Sequence, residues 1–241
     1  MAGCGVKKAL NFSGKLETVS RSVKNFHAVS FGGIGNLKLI QGDKEGLVIV
    51  ADSAVLPLIK TDVQNGVLQI SFKHKMSMML NGSQKIHFHL NFKNLSKLTI
   101  SGAARVAAAS LTAKNFDINS SGASVITIGN LSCDHLKVAL PGAGTVDLSG
   151  KSNQANFNLS GLGTIHAGQL KTLAANIEIA GAGKATVWAV HSLNAQVLGA
   201  GSVDYYGDPK IRKTILGVGL VKRLGPSPPS ISDGFTKHQK H

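Results

Sequence analysis

The sequence predicts an all-β protein folded as a parallel β-helix, a solenoid with coils of about 18 to 20 residues. Two observations lead to this prediction. A glycine-centred tripeptide returns at a nearly constant spacing, and polar and apolar residues alternate on both sides of it. The composition agrees, because 43% hydrophobic and 16% charged residues are typical of a packed chain and not of a disordered one.

The recurring tripeptide is Ser-Gly-Ala, Gly-Ala-Gly or Gly-Leu-Gly, and its first glycine defines the period. These glycines are Gly102, Gly122, Gly142, Gly161, Gly181 and Gly199, so the spacings are 20, 20, 19, 20 and 18 residues. We expect each glycine to form a tight structural corner. Glycine tolerates positive φ, and it leaves space for the backbone of the neighbouring coil.

The residues around each glycine alternate with a period of two. Positions two and four before the glycine, and four and six after it, are apolar or aromatic in 23 of 24 cases, and Ser120 is the exception. Most residues between them are polar, which predicts two strands per repeat with one inward face each. A further apolar column, including Phe116 and Leu136, closes the coil. A β-sandwich of hairpins is the alternative fold, but it would not require one register of small residues in every repeat.

The ends of the chain lack this regularity. Residues 17–93 contain strand patterns without a repeat, including a hairpin signal at Asn65-Gly66, and we interpret them as an irregular N-terminal cap with the first coils. We predict a tether at 1–17, one domain at 18–224 with regular coils at about 95–207, and a disordered tail rich in Pro, Ser, His and Lys at 225–241.

The net charge of +14 is concentrated at the two ends of the chain. Residues 1–99 carry 13 basic and 5 acidic side chains, and residues 206–241 carry 7 and 2. The repeats between them carry 6 and 5, so they are almost neutral. Partners recognised by charge should therefore contact the ends of the chain.

One candidate basic patch follows from local sequence. His87 and His89 share one strand face because they are two residues apart. The patch consists of Lys73, His74, Lys75, Lys85, His87 and His89. It suits a cell-surface glycan or anionic lipid, whereas nucleic acid is less favoured because aromatic residues make up only 5% of the chain. An ordinary solvated strand face explains the same residues.

No metal site or cofactor is predicted. Cys4 and Cys133 are the only cysteines. Cys133 lies beside Asp134 and His135, but a metal needs three or four ligands that converge, and no partner for them is evident in the sequence. The Gly181 corner lacks the spacing of a phosphate-binding loop, so we interpret it as structural.

No catalytic residues are predicted either. Asp147 and Asp204 occupy one column of the solenoid but lie three repeats apart, which is about 14 Å at the usual strand spacing. A glycosidase pair requires about 5 to 9.5 Å. We therefore expect a protein that is not an enzyme, and a polysaccharide lyase or hydrolase is the least favoured hypothesis.

The first residues are similar to the end of a bacterial lipoprotein signal. Ala2-Gly3-Cys4 matches its last positions, which makes Cys4 a candidate for lipidation. Such a signal requires a basic segment and then an apolar segment before the cysteine, and neither is present in this sequence. A chance match is the alternative.

The repeats resemble a known bacterial family. The Ser-Gly-Ala and Gly-Ala-Gly corners, the segment from Phe26 to Gly42 and the segment from Gly199 to Pro209 resemble the putative auto-transporter adhesin, head GIN domain, over roughly residues 20–220. The resemblance implies a right-handed parallel β-helix in an exported, envelope-associated protein. It transfers no binding residues, and the strong positive charge of this chain departs from the family's usual appearance.

These observations lead to a functional expectation. We expect an exported binding scaffold in the periplasm, at the outer membrane or on the cell surface, whose partner is a glycan, an anionic lipid or an envelope protein. The alternative is a module that binds polyanions through its basic ends.

Overall fold

The strands of this protein stack edge to edge in successive layers, here called rungs, and form the predicted parallel solenoid. The structure is a computed structural model that describes residues 14–73 and 86–229. The irregular part contains β1 (Leu16–Arg21), β2 (Ala28–Gly32), β3 (Ile34–Gln41), β4 (Gly46–Asp52), the 3-10 turn η1 (Leu56–Leu58), β5 (Ile59–Gln64), β6 (Val67–Phe72) and β7 (His87–Phe92). The regular part contains β8 (Lys97–Ile100), β9 (Ala103–Ala108), β10 (Leu111–Ser120), β11 (Ala123–Leu140), β12 (Ala143–Leu159), β13 (Leu162–Ile179), β14 (Ala182–Val197), β15 (Ala200–Tyr206), β16 (Lys210–Ile215) and β17 (Val218–Gly225).

The regular coils follow the period of the sequence. Each of β11 to β14 runs from one corner almost to the next, and each pairs in parallel with its successor. The register skips residues between Ala167 and Lys171, where the next coil is shorter. Variation in coil length is therefore absorbed far from the corner, which keeps the corners stacked.

The inward positions predicted from the alternation form the core. They are buried in every rung except at Tyr205, which is partly buried and packs against the core. Ser120, the polar exception, is only 1% exposed, and its Oγ lies 2.7 Å from the Oγ of the buried Ser124. The two hydroxyls satisfy each other, which removes most of the cost of burying a polar group.

The corner glycines are required for space and not for a left-handed backbone. A Cβ built on Gly142 would overlap backbone atoms of Gly122 and Ser121 in the preceding corner, and the other corner glycines repeat this overlap. Their φ angles lie outside the left-handed region. The expectation of positive φ at the corners is therefore wrong, because close stacking of backbone on backbone is what excludes a side chain there.

The N-terminal rungs are stacked out of sequence order. Strands β2 and β3 lie between the rung of β6 and β7 and the rung of β8 and β9. Antiparallel β1, β4 and β5 complete this end. Asn65 and Gly66 both have positive φ, 50° and 74°, and connect β5 to β6 as the predicted hairpin turn.

The C-terminal rung is open on its outer side within the described residues. Strand β16 pairs with β14, and β17 pairs with β15. Gly217 forms a seventh corner against Gly199. Leu216 and Val218 are 78% and 84% exposed. After β17 the chain turns back along the solenoid, where Gln169 Nε2 donates to the carbonyl of Pro229 at 3.0 Å. The predicted tether and tail fall mainly outside the described residues and remain predictions.

Candidate functional site

The predicted basic patch is only partly covered by the described residues. His74, Lys75, Lys85 and the lipidation candidate Cys4 lie outside them. Lys73 follows the end of β6 and is exposed. His87 and His89 lie on the outward face of β7, where they alternate with the buried Phe88 and Leu90.

The fold adds two cations to these histidines. On the adjacent β3, Lys38 is in register with His89, and Asn36 is in register with His87. On the next strand, β9, Arg105 is in register with Asn36. We call Asn36, Lys38, His87, His89 and Arg105 the histidine face.

The histidine face surrounds a depression of about 450 Å³. Small residues form the floor of the depression beside the longer side chains. Ala107 is in register with Lys38, and Ala109 and Gly129 also line the floor. Thr127 contributes the floor's hydroxyl group. No Asp or Glu occurs among the described residues that line this depression.

A long axial groove adjoins this depression. It has a volume of about 850 Å³ and follows the first three residues after each corner through six rungs, from Asn36 to Lys184. Five spacings of roughly 4.8 Å make it about 24 Å long. Most of its lining residues are Ala, Gly, Ser or Thr, and it shares Asn36 and Arg105 with the histidine face.

Acidic side chains of the regular repeats are separated from one another. Asp147 Oδ1 lies 2.6 Å from His166 Nδ1, and Asp204 Oδ2 lies 2.6 Å from Lys184 Nζ. Asp117 and Glu178 lie on strands before the corner, on a different face. No group of three His, Cys, Asp or Glu side chains suited to a metal ion occurs within 14–73 and 86–229.

The outward asparagines form a ladder on the face before the corner. Asn156, Asn176 and Asn194 are in register on consecutive strands, and Asn176 Nδ2 donates to Asn156 Oδ1 at 2.8 Å. Asn158 Nδ2 donates to Glu178 Oε2 at 3.3 Å in the neighbouring row. These bonds couple adjacent coils, as expected of stacked amides.

Cys133 is a buried thiol and not an exposed reactive one. It is 8% exposed, and its Sγ lies 3.5 Å from Ser152 Oγ. Burial raises the pKa of its thiol. The hydrogen bond with Ser152 lowers this pKa, and the nearby Asp134 carboxylate raises it, so the net pKa is above the usual value. Asp134 Oδ1 in turn accepts from Asn153 Nδ2 at 2.9 Å.

Lys38 and Arg105 are the residues that sequence reasoning missed. Lys38 lies far from the histidines in the chain and is next to His89 because β3 pairs with β7, whereas Arg105 on β9 lies on the other side of β3, in register with Asn36. The available signal was that Lys38 occupies an outward position in the alternation of its strand.

The described part of the chain contains no helix with the length and apolar character of a membrane span.

Comparison with known proteins adds a family and a fold. Residues 25–209 match the family described as putative auto-transporter adhesin, head GIN domain. The crystal structure of a putative adhesin from Bacteroides fragilis is similar at a TM-score of 0.84 and 30% identity, over 88% of this chain and 98% of that one. No curated protein matches the chain.

Two further crystal structures share the fold at the same coverage of 88% and 98%. A putative lipid binding protein from Parabacteroides distasonis has a TM-score of 0.70 at 24% identity. A putative adhesin from Parabacteroides merdae has a TM-score of 0.68 at 21% identity.

Proposed function

Because the chain belongs to the family described as putative auto-transporter adhesin, head GIN domain, we propose that it is a non-enzymatic binding scaffold of the cell envelope or cell surface. The observation that carries this proposal is the axial groove. A trough of about 850 Å³ that crosses six rungs of small side chains suits an extended ligand.

The rigidity of the solenoid supports a scaffold role. Every regular rung pairs with neighbours on both sides through β15, so the groove and the faces beside it are held in place by the core. A surface that is already ordered loses little conformational entropy when it binds a ligand. The protein would therefore act by presenting fixed outward rows of side chains.

The arrangement of acidic groups supports binding over catalysis. Asp147 and Asp204 each lie against a basic partner, His166 or Lys184. In most glycoside hydrolases the two catalytic residues are carboxyl groups about 5 to 9.5 Å apart. Asp147 and Asp204 lie three rungs apart in one column, which is about 14 Å at the usual strand spacing.

A polyanion-binding module is the second candidate. It is favoured by the unneutralised cations of the histidine face and by the terminal rung, which carries Lys210, Arg212, Lys213, Lys222 and Arg223. Binding of this kind releases counterions from the polyanion, so its affinity falls steeply as the salt concentration rises. Retention of the wild type on an anionic matrix across a salt series measures this property.

The envelope location can be tested directly. We expect the protein, produced from its own gene in a bacterial host, to appear in the envelope fraction and to incorporate a fatty-acid label at Cys4. A Cys4→Ser variant should lose the label and move out of the membrane fraction. Recovery of unlabelled wild-type protein from the cytoplasm would contradict the proposed location.

A further inference from the structure

We propose that the histidine face binds the anionic group of an extended glycan, a sulfate or carboxylate carried on a sugar ring. The inference deepens the proposed binding role by assigning a place on the solenoid and a ligand chemistry. It starts from the juxtaposition of Lys38, His87, His89 and Arg105 around one depression.

No carboxylate among the described residues lines this depression to neutralise its charge. On the rest of the same sheet face, His166 and Lys184 each have a carboxylate at 2.6 Å. Lys38 and Arg105 have no such partner among the described residues that line the depression. An anion placed there would gain attraction without first displacing a carboxylate.

The shape and the donors suit a sugar that carries an acidic group. The planar guanidinium of Arg105 can donate two parallel hydrogen bonds to a carboxylate or sulfate. The floor of Ala107, Ala109 and Gly129 offers an apolar surface to the C–H face of a pyranose ring. The volume of about 450 Å³ falls within the range of small-ligand sites.

The axial groove extends this site from one sugar to a chain. Because Asn36 and Arg105 line both the depression and the groove, a glycan with its acidic group at the histidine face would continue along the groove. The groove's length of about 24 Å corresponds to several sugar units at the spacing of the strands.

Two other polyanions fit this site less well. Single-stranded nucleic acid binds through aromatic side chains that stack on its bases. Phe88 is fully buried, which leaves, among the described residues, only His87 and His89 as ring side chains at the surface of this depression. A membrane surface is usually held by exposed large apolar side chains. The exposed residues that line this depression are polar, alanine or glycine.

A charge-matched pair of variants tests the site. The double variant Lys38→Gln/Arg105→Gln removes two charges from the depression, and Lys151→Gln/Lys171→Gln removes two from another face. We would measure binding to heparin as the sulfated probe and to polygalacturonate as the carboxylated probe, with neutral dextran as the blank. The first variant should lose roughly tenfold in affinity for one of the charged probes, and the second should lose much less.

A steric variant separates the site from general attraction. Ala107→Leu fills the floor of the depression without changing the net charge, and Ala139→Leu adds the same side chain on the face before the corner. We expect Ala107→Leu to weaken binding of the charged glycan and Ala139→Leu to leave it unchanged. Melting curves of both variants would show that the fold is intact.

The outcomes separate this inference from the proposed function. Equal losses in the two charge variants, or undiminished binding by Ala107→Leu, would overturn the site. So would wild-type binding to phosphatidylglycerol vesicles or a single-stranded oligonucleotide but to neither charged glycan. If this protein is found in the envelope but binds neither glycan at low salt, the proposed scaffold role stands and the assignment of an anionic glycan as the ligand is wrong.

Discussion

At the scale of single residues, the corner glycines explain why the repeat is so regular. The Cβ position of each is occupied by the backbone of the preceding corner, so any side chain must separate two coils. Sequence period alone identifies these residues. Their backbone conformation could not be derived from it, because positive φ and a crowded Cβ position both select glycine.

Gly142→Ala should destabilise the protein. The added methyl group overlaps the carbonyl of Ser121 and the backbone of Gly122, so we expect a loss of about 1 to 3 kcal/mol or more in the free energy of unfolding. This corresponds to roughly 2 to 4 °C in Tm per kcal/mol for a chain of this size. Gly46→Ala is the matched control, since nothing lies within 4 Å of its Cβ position. Equal melting temperatures for the two variants would refute backbone stacking as the reason for glycine.

Cys133 should react slowly with thiol reagents in the native protein. Burial raises the pKa of its thiol, so less of the reactive thiolate is present at neutral pH, and the small exposure of 8% limits access further. In a Cys4→Ser variant Cys133 is the one remaining cysteine. Labelling should be slow, should accelerate as pH rises, and should become fast in denaturant. Equal rates in the folded and unfolded chain would show that the thiol is accessible.

At the scale of elements, the terminal rung carries charged side chains at the open end of the solenoid. Lys213 is in register with the buried Ala195, so it occupies a position that is apolar in the earlier rungs. Arg223 occupies the corresponding position on β17, in register with Tyr205, and its Nε donates to the Gly207 carbonyl at 2.8 Å. Inward-facing charges on an edge strand discourage another strand from pairing with it.

Lys213→Val should therefore promote self-association. The substitution restores an apolar inward residue at an edge that already exposes Leu216 and Val218. Lys210→Val removes the same charge from an outward position of the same strand. Light scattering across a concentration series should show larger particles for Lys213→Val than for Lys210→Val. Identical behaviour of the two variants would mean that net charge, and not the inward position, protects this edge.

At the scale of the whole molecule, the order of the rungs decides which side chains meet. The regular coils could be predicted because consecutive repeats are neighbours in space. The N-terminal part could not, since β2 and β3 are inserted between rungs that follow them in sequence. The histidine face depends on that insertion for Asn36 and Lys38: His87 and His89 were visible as a pair, but β3 comes to lie between them and Arg105 only through the topology.

Charge is distributed unevenly along the solenoid. The central repeats are almost neutral, and several of their polar side chains bind one another, as Asn156 and Asn176 do. Because the excess of basic residues lies at the two ends of the chain, we expect a ligand attracted by charge to contact the rungs near those ends. The histidine face is the place where an unneutralised charge coincides with a depression and with the groove.

The most direct test is to map where a short anionic oligosaccharide contacts the protein. Backbone NMR shifts would be followed during a titration with a heparin-derived oligosaccharide, with a neutral oligosaccharide as the control. We predict that the largest shifts cluster on β3, β7 and β9 around Lys38, His87 and Arg105, and extend along the groove. Shifts concentrated on β16 and β17, or absent altogether, would contradict the assignment of this face as the binding surface.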